Sequence, residues 1–221
     1  MRNAVPDAPP VGDPVARRVA GRGVERRQEV YATEVRRLLD AAFAVMRDTG
    51  DLDPRVGDIV RWSGLSNQAF YRHFESKHAL LLAVLEDGQR QLVDYLEHRM
   101  SAVGPGIPRI RRWIEGVLEQ ARNADAAART RPFALNAARL RDRFPAETEH
   151  ATDLVVAPLR DAIRDAGGDP RRDADAVYQL AMGTMHAHLV ARTHPDTRDV
   201  AHLVRFALAG IGGAEGDGDR P

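Results

Sequence analysis

The stretch SGLSNQAFYRHFESKHALLLAVL, residues 63–85, sets Asn67, Gln68, Tyr71, Arg72, His73 and Lys77 among phenylalanines and leucines. The chemistry of those side chains is recognition. A carboxamide matches the donor–acceptor edge of adenine, and a guanidinium matches that of guanine. A phenol, an imidazole and an ammonium are suited to phosphate oxygens. On a helix turning about 100° per residue, Phe70 and Phe74 share one side and are expected to face a core with Val56, Ile59 and Leu65. Gln68 and Arg72 then point away from that core. Ala69 shares their side, small enough to admit a close partner and to touch a thymine methyl, and Asn67 completes the base-reading candidates. Tyr71 and His73 fall on the two flanks, where phosphates would pass. Ser66, Arg55 and Lys77 stand at helix starts and are the remaining phosphate candidates.

Such a helix must be held by others. Apolar residues recur at three- and four-residue spacing, and alternating β-branched runs are missing, which predicts an all-α chain. Helix one is expected over about Val30–Arg47, buried through Val35, Leu38, Leu39, Ala42, Phe43 and Met46. Asp53 followed by Pro54 reads as a cap and first position for a short second helix, about Arg55–Trp62. Gly64 breaks it, Ser66 caps the helix about Asn67–Phe74, and Ser76 caps a longer one reaching Met100. Two short helices around a tight glycine turn, leaning on a third, make a helix-turn-helix unit. SAVGPGIP, residues 101–108, reads as a linker. Beyond it, helices are expected over about 109–123, 133–143, 147–166, 173–192 and 197–210, with a kink or break at Pro158. The domains expected are a disordered basic arm (1–27), a helix-turn-helix domain with its connecting helix (28–100), a second domain (101–211) and a disordered tail (212–221).

Composition bounds the partners. The chain has 221 residues, a formal net charge of +0 and no cysteine. Disulfides and thiolate metal sites are excluded, and a polyanion partner would need a local basic face. Arg17, Arg18, Arg22, Arg26 and Arg27 ahead of helix one offer one, suited to a DNA backbone or minor groove. No apolar run is long enough for a membrane span, and a cytoplasmic location is expected. No phosphate-binding glycine loop, nucleophile elbow or paired carboxylates point to catalysis or to a cofactor. His186 and His188 lie about 200° apart on a helix, and with His194 they lack the i, i+4 spacing of a helical zinc pair. No metal site is expected.

VGDIVRWSGLSNQAFYRHFESKHALLLAVL resembles the DNA-binding domain of TetR-family bacterial transcription regulators, through Ile59, Gly64, Ser66, FYRHF and SKHALL. Val60 departs from the small alanine usual there. The resemblance implies a three-helix DNA-binding head and a larger helical domain for ligand binding and dimerisation. It implies a homodimeric repressor on a palindromic double-stranded operator, released by a small-molecule effector, and no enzyme. The competing reading is a helical enzyme or metal-dependent bundle whose N-terminal unit mediates protein contacts.

Within the second domain, Trp113, Val117, Phe133, Asn136, Leu140 and Tyr178 are the expected pocket lining. Leu180, Ala181, Thr184, Met185, Leu203 and Ala207 are the expected dimer contacts, on two helices suited to a four-helix bundle between subunits.

Overall fold

The computed structural model describes residues 14–211, with side chains from residue 21 onward. The expected tail (212–221) and the first part of the expected arm (1–13) lie outside these residues. Ten helices make up the described chain: α1 (Pro14–Thr49), α2 (Val56–Ser63), α3 (Asn67–His73), α4 (Lys77–Ser101), α5 (Ile107–Arg122), α6 (Ala124–Leu135), α7 (Ala137–Arg143), α8 (Pro145–Asp165), α9 (Arg172–Ala191) and α10 (Thr197–Gly210). None of them is long and apolar enough to cross a membrane.

Three expectations about helix boundaries are corrected. First, α1 starts at Pro14, sixteen residues before Val30, so the segment expected as a disordered arm is helical from there on. Proline suits a first turn, and the arginines, glutamates and glutamine that follow are good helix formers. Residues 22–33 are exposed all round, so no apolar stripe marked them. Second, Asp53 does not cap α2. That helix begins at Val56 after an extended Arg55, with no side-chain cap, and Asp53 pairs with Lys77 at 2.8 Å instead. Third, the single helix expected over 133–143 is two. α6 starts at Ala124, because the Asn123 side chain accepts the N–H groups of Asp125 and Ala126, each at 3.0 Å. It ends at Leu135, and Asn136, at φ −116°, separates it from α7. Pro158, expected to kink or break a helix, lies inside α8, which runs through it.

The buried residues form two clusters. One joins α1, α2, α3 and the start of α4 through Leu38, Met46, Ile59, Phe70, Leu80 and Val84. The other joins the far half of α4 to α5, α6, α8, α9 and α10 around Leu96, Trp113, Ile114, Leu159, Ala181 and Val204. Trp113 lies at its centre and donates its indole N–H to the Val155 carbonyl at 3.0 Å, satisfying a polar group that burial would otherwise penalise. α4 therefore belongs to both clusters, a rigid rod about 37 Å long at 1.5 Å per residue.

The two clusters divide the expected pocket. Trp113, Val117 and Tyr178 belong to the body. Leu140 is buried in the head cluster with Phe144, and Phe133 packs against it, stacked on Phe43 at 6.1 Å. Asn136 donates to the Gly50 carbonyl at 3.2 Å, across the same joint. These last three form part of the head–body contact and do not share a space with Trp113.

The expected dimer contacts are also revised. Ala181, Met185, Leu203 and Ala207 are buried within one subunit, so they hold α9 and α10 to the body. Leu180 packs partly against the same cluster, and Thr184 is half-buried, its hydroxyl turned back to the Leu180 carbonyl at 2.8 Å. Both helices have a second apolar face: Gly183, Ala187 and Val190 on α9 and Phe206 and Ala209 on α10 are exposed, Phe206 by 66%. Apolar content alone did not say which face turns inward.

Candidate nucleic-acid interface

The head is built from local rules. α2 ends at Gly64, whose φ of +64° is left-handed, a conformation glycine adopts without penalty. A side chain there would also meet Arg37, whose Nη2 lies 3.1 Å from the position of a Cβ. Arg37 reaches across from α1 and donates to the Ser63 carbonyl at 2.5 Å, occupying one of the free carbonyls at the end of α2. Two residues later, Ser66 Oγ accepts the Ala69 N–H at 3.1 Å and starts α3. Ser76 does the same for α4 through Ala79, also at 3.1 Å. Each such cap contributes about 1 kcal/mol. The turn is thereby fixed at both ends, and Phe70, fully buried, anchors the helix between them.

The exposed face of α3 carries Asn67, Gln68, Tyr71 and Arg72. Tyr71 is 59% exposed, its ring edge-on to Phe70 with centroids 5.1 Å apart. This leaves an amide, a guanidinium and a phenol side by side on a helix of seven residues held at both ends. Arg55 is exposed just before α2 and forms no ion pair among the described residues. Ser66 spends an oxygen lone pair on its cap and keeps a hydroxyl proton to donate outward.

Three of the expected contact residues are placed differently. Ala69 is only 6% exposed, so it does not face outward with Gln68. The His73 side chain is 0% exposed. Its Nε2 is 2.6 Å from Glu34 Oε2, and its ring lies edge-on to Tyr31 with centroids 4.3 Å apart. The buried arc of α3 thus runs from Ala69 through His73 and Phe70 to Phe74, displaced toward the side where α1 passes. Lys77, expected to meet phosphate, is ion-paired with Asp53 and only a third exposed. Arg143 of α7 approaches the same carboxylate at 3.8 Å. The Lys77 ammonium holds the Asp53 carboxyl below the usual carboxylate range.

Glu34 is a residue that the sequence did not single out. It lies 39 positions before His73, and only the crossing of α1 over α3 brings the two together. Its Oε2 also takes Arg72 Nη2 at 2.5 Å. The bonds from His73 and Arg72 hold its carboxyl below its ordinary range.

Residues 38–84 match the family described as bacterial regulatory proteins, tetR family. No curated protein matches the chain by sequence. Among solved structures, the chain is similar to the reduced form of Escherichia coli NemR at 16% identity, over 80% of this chain and 97% of that one, with a TM-score of 0.66. It is similar to a putative TetR-family transcriptional regulator of Mesorhizobium loti at 22% identity, over 81% and 93%, with a TM-score of 0.59. A third is the transcriptional regulator FadR of Bacillus subtilis in complex with stearoyl-CoA, at 16% identity over 79% and 98%, with a TM-score of 0.60. The head formed by residues 38–84 is that of the tetR family, carried on a chain with the fold of solved regulators of that family.

Proposed function

We propose that the protein is a sequence-specific DNA-binding transcriptional repressor, homodimeric on a palindromic operator and released by a small-molecule effector. The observation that carries this reading is the exposed face of α3, with Asn67, Gln68, Tyr71 and Arg72, on a helix fixed by its turn, its caps and its Phe70 anchor. Gln68 and Arg72 read base edges in a major groove, with Asn67 at the helix start. Tyr71, Arg55 and the Ser66 hydroxyl meet phosphates on either side. The exposed basic residues Arg22, Arg26 and Arg27 on the first half of α1 extend the charged surface beyond α3.

Dimerisation places the outward faces of α9 and α10 against their copies, with Gly183 and Ala187 allowing close approach and Phe206 and Val190 supplying apolar area. An effector opens space in the body cluster beside Trp113 and Tyr178, the part of the chain that α4 connects to the head. The Bacillus subtilis neighbour is in complex with stearoyl-CoA, whose long acyl chain supports an effector with an apolar part. Because α4 is packed into both clusters, a tilt of its body half moves Leu80, Leu81 and Val84 and with them the head.

Selection from a randomised duplex library, followed by gel shifts at several salt concentrations, tests the DNA reading. A bound consensus with two half-sites about one helical turn apart is expected. Gln68→Ala relaxes preference at one base pair per half-site by about 1–3 kcal/mol. Tyr71→Phe and Arg55→Ala weaken binding to all sequences alike. A wild-type protein with no preference over random DNA at moderate salt overturns the proposal.

A further inference from the structure

Glu34 is the point on which two neighbouring residues of α3 converge. One oxygen of its carboxylate receives Arg72 Nη2 at 2.5 Å and His73 Nε2 at 2.6 Å. The Glu34 side chain is 21% exposed and that of His73 0%, whereas Arg72 remains 56% exposed. The carboxylate therefore sits under the guanidinium, at the edge of the head, with the imidazole sealed behind it. Tyr31, one turn earlier on α1, closes that side of the ring.

We infer that Glu34 is a specificity-determining positioning residue: through its bond to Arg72 it fixes the plane in which that guanidinium meets a base. This inference rests on the proposed DNA reading. A free arginine on a surface helix samples many rotamers, and ordering them opposes each contact it makes. Arg72 in this head has one nitrogen already committed to a carboxylate, and the guanidinium is planar, so its remaining N–H groups are aimed before any DNA arrives. His73 sets Glu34 in turn. A carboxylate oxygen only accepts, so Nε2 carries a proton and donates it. The ring nitrogen on the far side, Nδ1, is buried without a partner, so the imidazole is held to the head through the Glu34 bond and its packing. Burial keeps water from competing for that bond. The arrangement is a relay of position, from a buried ring through a half-shielded carboxylate to an exposed guanidinium.

The alternative consequence of the same contacts is that Glu34 withholds Arg72 from DNA. The two have opposite signs and one experiment separates them. The full-length wild type, Arg72→Ala, Glu34→Ala, Glu34→Gln and the double variant Glu34→Ala/Arg72→Ala are each used to select from the same randomised duplex library, and their affinities for selected and scrambled duplexes are measured. Arg72→Ala identifies the base pair that Arg72 reads. Glu34→Ala is expected to lose about five- to tenfold of the preference at that base pair and to leave affinity for scrambled DNA unchanged or raised, since a negative charge has gone. Glu34→Gln, which keeps an acceptor oxygen in place of the carboxylate, retains part of the preference and serves if Glu34→Ala fails to fold. The double variant shows no further loss beyond Arg72→Ala, because Glu34 acts through Arg72.

A purely structural role lowers affinity for all duplexes alike and leaves the base preference untouched, which overturns the inference. A gain in affinity and preference in Glu34→Ala shows withholding and overturns it as well. If the wild type is selective and Arg72→Ala loses one position while Glu34→Ala and Glu34→Gln keep it, the inference fails and the DNA reading stands. If the wild type selects nothing, the DNA reading itself has failed.

Discussion

Gly64→Ala tests the turn on which the whole head depends. Two costs can be worked from the structure. Alanine at φ +64° sits in the left-handed region, which costs about 1–2 kcal/mol. Its Cβ also falls 3.1 Å from Arg37 Nη2, closer than nine in ten real contacts of a Cβ, so the neighbour must give by a few tenths of an ångström. The guanidinium is the far end of a flexible side chain, so it moves, and its bond to the Ser63 carbonyl weakens or breaks. A bond from a charged donor contributes about 1.5 kcal/mol or more. Against these, alanine stiffens the unfolded chain and offsets about 0.5 kcal/mol. The net expectation is a loss of about 2–3 kcal/mol. Urea unfolding, at one fixed protein concentration because an assembling protein gains stability with concentration, measures it for wild type, Gly64→Ala, Arg37→Ala and the double variant. In the Arg37→Ala background the new methyl has space, and only the backbone cost of about 1 kcal/mol should remain. A loss below about 0.5 kcal/mol in the wild-type background would show that the turn is not left-handed. Equal losses in both backgrounds would show that Arg37 does not lie over Gly64.

Three further outcomes follow from named contacts. Asp53→Asn frees Lys77 and costs less than about 1 kcal/mol, since both partners are a third exposed; under the proposed function the freed ammonium should steepen the salt dependence of DNA binding by about one charge, and an unchanged slope would show that Lys77 does not reach a phosphate. Phe206→Arg, at a side chain 66% exposed, should convert a dimer to a monomer in light scattering with the helical circular dichroism preserved, and a dimer that persists places the interface elsewhere. The third concerns acid. The Glu34 carboxyl is lowered from its ordinary 4.5 by its bonds to His73 and Arg72, so its contribution is complete above pH 4.5 and is lost as pH falls through the lowered value. The melting temperatures of wild type and Glu34→Gln should therefore converge below pH 4.5, and a constant gap from pH 6 to 3 contradicts the contact.

The parts of the head that were legible in the sequence are those set by neighbours in the chain. Gly64, Ser66 and Ser76 act on backbone groups within three residues, and each does in the structure what its type and place predict. The inward side of Phe70 and Phe74 follows from spacing alone. What failed depends on distant residues. A helical wheel centres the buried arc on the two phenylalanines, and by that rule His73 and Ala69 sit at its margin or beyond. Glu34 and Tyr31 of α1 cover His73 on that side, and nothing between Asn67 and Phe74 records where α1 runs. The pairing of Lys77 was hidden for the same reason, since its partner Asp53 comes from the loop before α2.

Apolar residues in the body carried still less information about their place. Phe133 and Leu140 are as hydrophobic as Trp113 and Val117, yet a break at Asn136 sends them to the joint between head and body. That joint gives the coupling a second route beside α4. Leu140 and Phe144, on and just beyond α7, are buried in the head cluster, and Arg139 and Arg143 approach Asp51 and Asp53 in the loop before α2 at 3.5 and 3.8 Å. Phe133 on α6 lies against α4 at Gly88, where an added Cβ would be 3.7 Å from its ring. A displacement of α6 is therefore felt by α4 through Phe133 and by the α1–α2 loop through α7. Both lead to the same few residues that orient α3. A head gripped at two points does not swing freely on α4, so under the proposed function an effector that moves α6 would change the angle at which Gln68 and Arg72 are presented.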